Sequence, residues 1–289
     1  NSGTNSIVSA YSYIASGLAE MILISGAERH DSPGQILQWD NSRGEFKHPI
    51  FWASIFTKSY KREFSISDER LAMVSVKNHK QAQENPNAIS NNTYTVQDVM
   101  NSKKLTDDLK LLDCSRPCTG SASIVLATEE LTKSISDDPV WITGIGQKTT
   151  SASFTKNKSF TSMESTKTAA QSALKMSNHT SKDIDVAEIH DAFSVCEPIA
   201  LESLGFSDYG KGLDLVDELY ETNNFKINPR GGLIGSGHPL GATGISQTIE
   251  ITQQLQSDAG KRQVDNANIG LIHNMSAAAT SSTVLVLEK

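Results

Sequence analysis

Three histidines carry most of the chemistry this sequence could do. His238 sits inside "PRGGLIGSGHPLGATG", residues 229–244, a stretch holding six glycines and two prolines. A phosphate cradle would need G-x-x-x-x-G-K-[ST], or G-x-G-x-x-G between a strand and a helix. The stretch has no lysine, and the G-x-G at 235–237 runs straight into His238 and Pro239. Pro239 removes a backbone donor where phosphate oxygens would want one. The glycines instead permit tight turns and close approach of another backbone or ligand, and Pro239 stiffens the residue beside the imidazole. His190 in "EIHDAF" and His273 in "IGLIHNMSAAATS" each end a buried-looking strand, where α/β folds place their chemistry. One such histidine is an ordinary satisfied core residue. Three in one half of the chain point to a shared site for acid–base work.

The remaining composition bounds the function. The net charge is −7, which argues against general nucleic-acid binding. No apolar run approaches the roughly 20 residues that span a bilayer, so no membrane segment is expected. Cys114, Cys118 and Cys196 are an odd, sparse set that fits a reducing, cytoplasmic setting. Cys114 and Cys118 lack a second pair or a nearby histidine, so no metal site is expected.

Positioning those histidines requires an α/β frame. Helical spacing of Ile7, Ala10, Tyr11 and Ile14 predicts a helix over 4–17, followed by a strand at "MILIS", 21–25. Residues 29–70 read as irregular and polar, with Trp39 and Trp52. A helix is expected over 68–83, capped by Ser67 or Asp68. The whole excursion, about 29–110, reads as a loop subdomain. Strands follow at 122–127 and 140–146, with a polar break at 131–139 between them. A helix over 164–177 carries Ala169, Ala170, Ala173 and Leu174 on one side. A strand runs into His190, a helix after the glycine stretch holds Ile245, Ile249 and Thr252, and "NIGLIHN" and "STVLVLE" close the chain as strands. Strands alternating with helices predict a largely parallel sheet. Cys196 falls in a helix as a core residue.

These stretches together resemble one family. "NPRGGLIGSGHPLGATG" is similar to the thiolase signature around its G-H-P loop. "HDAF" resembles the loop that reads N-E-A-F in conventional thiolases and H-D-x-F in sterol-carrier-protein-x and archaeal thiolases. "HN" at 273–274 matches the archaeal-type terminal loop, H-N-x-G-G-x-G. "NSGTNSIVSAYSYIASGLAEMILISGAE" and "LAMVSVKNHKQAQENPNA" resemble the segments that follow the thiolase nucleophile. The resemblance spans nearly the whole chain, and its segments fall in the right order.

The resemblance implies a thiolase fold, two similar halves in a layered αβαβα arrangement, here with residues 1–136 as the remainder of an incomplete first half and 137–289 as the second. It implies Claisen condensation of two acetyl-CoA to acetoacetyl-CoA, or the reverse thiolysis, with coenzyme A thioesters as substrates and no covalently bound cofactor. His238 would assist the nucleophile, His190 would take part in the first oxyanion hole, and His273 would fall on the acid–base position. The backbone N–H of Met275 would serve the second oxyanion hole. The nucleophilic cysteine is expected immediately before Asn1, on a segment the sequence does not contain, so the stretch alone is expected to be inactive. A homodimer or homotetramer is implied, as are hydroxymethylglutaryl-CoA synthase and a zinc-ribbon/OB-fold protein as partners.

The sequence departs from the family in the terminal loop, where Ser276, Ala277 and Ala279 stand at glycine places. If those positions need positive φ, each β-carbon costs on the order of 1 kcal/mol. Two other readings therefore stand beside the first: a thiolase-like retro-aldolase acting on CoA thioesters, which needs no nucleophilic cysteine, and a non-catalytic thiolase-like subunit that shapes a complex.

Overall fold

The computed structural model describes residues 1–29, 48–151 and 153–289. Helix α1 spans Ser2–Ala15, and strand β1 spans Met21–Glu28. Trp39 and residues 30–47 of the expected loop subdomain lie outside the described residues. The excursion that follows is helical: α2 (Pro49–Phe64), α3 (Asp68–Ala82) and α4 (Val96–Asn101). The irregular reading of 29–70 is thus corrected over α2. Its start is well encoded, because the His48 side chain accepts the Ile50 N–H and Pro49 occupies the first turn, where it loses no helical bond. Ser67, the expected cap, accepts from the Arg70 N–H at the start of α3.

Strand β2 (Gly120–Ala127) pairs antiparallel with β1. The stretch read as a polar break instead begins with a short helix, α5 (Glu129–Ile135), capped by Thr128. The second half runs β3 (Trp141–Thr149), α6 (Glu164–Ser177), β4 (Val186–Glu188), α7 (Cys196–Leu204), α8 (Gly212–Glu221), α9 (Gly232–Ser236), α10 (Thr243–Leu255), β5 (Ile269–Met275) and β6 (Ser281–Glu288). The four strands form a sheet in the order β3-β6-β5-β4. Only β4 and β5 run parallel; β6 is antiparallel to both neighbours. The expectation of a largely parallel sheet is corrected, and the reason is local. Five residues separate β5 from β6, too few for a crossover, so the second strand must turn back.

The layers follow from the alternation along β6. Val284 and Val286 join the core built on α2, α6, α7 and α8. Leu285 and Leu287 join a second core with Ile7 of α1, Ile24 of β1 and Ile245, Ile251 and Leu255 of α10. A strand buried on both faces reads as a continuous apolar run, as "STVLVLE" does. The sheet therefore carries α6 on one face and α1 with α10 on the other, and the β1–β2 ribbon covers the far side of those two helices. Among the described residues no helix is long and apolar enough to cross a membrane.

Candidate active site

His190 lies just beyond β4, and His238 lies just beyond α9. Both are buried, and their rings meet edge to face with centroids 5.0 Å apart. The backbone before His238 explains how the loop delivers the ring. Gly237 caps α9 at φ 102°, a conformation that excludes a β-carbon without strain, and Ile89 and Cys118 close against it. A strip of chain from 113 to 118 then stitches the two histidine loops together. Ser115 N–H donates to Ala192 O at 2.9 Å, and His238 N–H donates to Arg116 O at 2.8 Å.

The tautomer of His238 can be assigned from its partners. The Thr243 hydroxyl donates its one hydrogen to Pro239 O at 3.0 Å. Its oxygen must then accept from His238 Nδ1–H, at 2.7 Å. Nε2 keeps a lone pair and is the basic nitrogen. Burial first, and the positive charge of Arg230 with it, push the imidazole down to about 3, so it is neutral at pH 7. His190 is also held well below its ordinary value, first by burial and then by His238. Its Nδ1 is buried with no hydrogen-bond partner among the described residues.

His273 stands behind this pair rather than beside it. A relay of hydroxyls fixes its tautomer. Ser165 donates to Ala279 O at 2.6 Å, so it accepts from Ser282, which accepts from Thr166, which accepts from His273 Nε2–H at 3.0 Å. Nδ1 keeps the lone pair and touches the His190 N–H at 3.5 Å, the outer limit of a hydrogen bond. Burial alone pushes this ring down to about 3. Met275 ends β5 opposite Ser282, with its side chain in the core.

The N-terminus of α1 completes the arrangement. Asn1 lies against β6, its Nδ2 within 3.4 Å of Ser281 and Thr283. The first turn of the 14-residue α1 packs against the 241–244 turn that follows His238, Thr4 against Gly244 and Gly3 against Gly241, which brings the positive end of its dipole to this side of the site. Cys196 and Cys114 stand apart from this chemistry, whereas Cys118 N–H donates to His238 O at 3.4 Å. Cys196 is buried in α7, and burial raises Cys114 to about 12. Cys118 is half-buried beside Gly237 with its thiol also raised by burial. Among the described residues no cluster of three or more metal-ligating side chains occurs.

Sequence reasoning named the three imidazoles but not what holds them. Thr243 lies five residues past His238 within the quoted glycine stretch, and its hydroxyl was a readable signal. Thr166 and Ser282 were not readable, because their contact with His273 depends on how α6 crosses β5 and β6. The buried pair Glu188–Arg230, 2.8 Å apart, was likewise missed.

Comparison with known proteins bears on the family and the fold. The thiolase C-terminal domain-like family model matches residues 146–289. An acetyl-CoA acetyltransferase of Methanothermobacter thermautotrophicus is 34% identical, over 100% of this chain and 78% of that protein. One from Methanocaldococcus jannaschii is 31% identical, over 99% and 76%. Human sterol carrier protein 2 is 33% identical over 94% of this chain, which spans 54% of the human protein. Among solved structures, an Ltp2–ChsH2(DUF35) aldolase superposes with a TM-score of 0.87 at 21% identity, covering 99% of this chain and 77% of that one. A monomeric SCP2-thiolase-like protein type 1 from Mycobacterium smegmatis gives 0.77 at 14% identity, covering 99% and 59%. At these identities and coverages this chain belongs to the thiolase family, in the company of the archaeal acetyl-CoA acetyltransferases and sterol carrier protein 2.

Proposed function

We propose that the protein is a thiolase-type acyltransferase that makes or cleaves a β-ketoacyl-CoA, with acetoacetyl-CoA as the expected case. The observation that carries this reading is the convergence of a neutral imidazole with a free Nε2, a second imidazole with an unmatched Nδ1, and the N-terminus of α1. A cysteine at the position immediately before Asn1 would enter that space. The helix dipole favours its thiolate, and His238 Nε2 is the base that takes the thiol proton. The sulfur attacks a thioester carbonyl, His190 meets the developing oxyanion, and coenzyme A leaves with the proton. In the second half-reaction the acid–base role at the α-carbon of the incoming acyl-CoA is assigned to His273. The new carbon–carbon bond forms as the cysteine departs. A DUF35-type partner, of the kind named with the aldolase neighbour, is part of the same proposal.

The test uses the protein expressed from its complete reading frame. Thiolysis of acetoacetyl-CoA should be measurable, an acetyl group should be trapped on the cysteine before Asn1, and His238→Gln should lower kcat/KM by about 10²–10⁴-fold. Absence of the acyl adduct, with cleavage of β-hydroxyacyl-CoA instead, would replace this reading with the retro-aldolase one.

A further inference from the structure

A buried polar cluster takes no part in the chemistry above. Lys77 and Asn78 of α3, Asp191 after β4, Glu197 of α7 and Asn228 before α9 are all 0% exposed, so each charge and dipole must be matched inside the protein. The matching is close to complete. Asn78 Nδ2 donates to Asp191 Oδ2 at 2.8 Å and to Glu197 Oε2 at 2.7 Å. Lys77 Nζ lies 2.8 Å from Glu197 Oε1. Asn228 Nδ2 donates to Glu197 Oε2 at 3.0 Å, while its Oδ1 accepts the Ile189 N–H at 2.8 Å. Asp191 Oδ1 accepts the Leu233 N–H at 2.6 Å, and its Oδ2 lies 3.3 Å from the Ile234 N.

The attachment points of this cluster matter more than its charge. Ile189 and Asp191 flank His190. Leu233 and Ile234 form the single turn of α9 that ends at Gly237, next to His238. Glycine is required at 232 for the contact, because its φ is 58° and a β-carbon there would fall 2.3 Å from Asp191 Oδ2. An apolar cluster of the same volume would hold these elements with less desolvation cost. A directional network instead fixes where each backbone sits.

We infer that Asn78 and Asp191 are positioning residues for the imidazole pair: through this network they set the spacing of His190 and His238 and tie it to α3. The effect on turnover rests on the thiolase reading, whereas the spacing can be measured without any substrate.

The experiment labels the histidines of the full-length protein with ¹⁵N and compares wild type with Asp191→Asn. This isosteric change turns one acceptor into a donor facing Asn78 and Ile234. The ring resonances of His190 and His238 should move while those of His79 and His179 stay in place. With acetoacetyl-CoA, kcat should fall about 10- to 100-fold, as a misplaced reacting group does, with KM changed by less than about threefold. Asn78→Ser, which keeps one donor but cannot serve both carboxylates, should act in the same direction. Ring resonances and kcat at wild-type values in a folded variant would overturn the inference, as would failure of both variants to fold, which would make the cluster a folding element. If the wild type shows no thiolysis, the proposed function fails, and the ring resonances alone still decide the positioning role.

Discussion

A neutral imidazole can take a proton at pH 7, and a charged one cannot. Burial arranges this for His238 and His273, both pushed down to about 3; the Thr243 hydroxyl chooses which nitrogen keeps the lone pair in the first, and a relay of hydroxyls chooses it in the second. The relay of His273 ends on the carbonyl of Ala279, in a loop with strain of its own. Ala278 and Ala279 adopt φ of 55° and 50°. Of the three glycine places that the sequence fills with larger residues, only Ala279 proves to be left-handed, and Ala278 joins it; Ser276 is extended. Each left-handed alanine costs on the order of 1 kcal/mol. Ala279→Gly relieves that strain but loses a buried methyl worth about 0.8 kcal/mol. Its unfolding free energy should therefore change by less than about 1 kcal/mol. Ala279→Val, β-branched at positive φ, should lose more than about 2 kcal/mol. Urea unfolding of both variants checks the pair, and an undiminished valine variant would mean the loop relaxes. The imidazoles were readable at this scale because six of the chain's 19 glycines gather around one of its seven histidines. The role of Asp191 is not legible in the same loop, because its partners at 233 and 234 lie 42 and 43 residues along the chain.

Among the elements, α2 shows how a helix escapes a sequence reading. Trp52, Ala53, Phe56 and Tyr60 form its buried stripe, but polar Ser54, Thr57 and Lys58 interrupt the run, and the neighbouring aromatic Trp39 suggested a continuous irregular stretch. Tertiary packing makes the choice. Phe56 is fully buried against Trp52 and Phe160 in edge-to-face contacts, and Trp52 meets Phe193 of the H-D-A-F loop at 5.0 Å. Phe56→Ala should therefore cost about 3–5 kcal/mol, measured as a shift in the urea midpoint with an unchanged slope. A loss under 1 kcal/mol would mean α2 is not part of the core. The strands were easier to read, since "MILIS", "ASIVLA", "NIGLIHN" and "STVLVLE" each fall within an observed strand or overlap most of it. Their direction was not, because it depends on which strands become neighbours, and only the short β5–β6 connection fixed any of it locally.

At the scale of the whole molecule the buried ionisable groups set the response to acid. His79, His190, His238 and His273 are neutral in the fold, with His79 lowered to about 4 by burial and then by Arg116. Unfolded, each would take up a proton below its ordinary value of 6.5, so their contribution is complete above pH 6.5 and is lost as pH falls toward the folded values. Burial raises Asp113, and raises Glu188 and Asp191 to about 7. Their contribution has the opposite sign: complete below the ordinary carboxylate range and lost as pH rises through 7. Between about pH 4 and 6.5 the four imidazoles outnumber the raised carboxyls, so the unfolded chain binds the more protons and stability falls as the pH falls. The urea midpoint should fall from pH 7 to pH 5 and more steeply below 4. A midpoint that rises on acidification would show that the imidazoles are charged in the fold.

The β1–β2 ribbon covers α1 and α10 with one face and turns Leu23 and Val125, each more than half exposed, to the other. Among the described residues β1 pairs only with β2. Leu23→Lys would break the apolar cross-strand pair with Val125, at a cost of about 1 kcal/mol or less, and would leave the imidazole pair untouched.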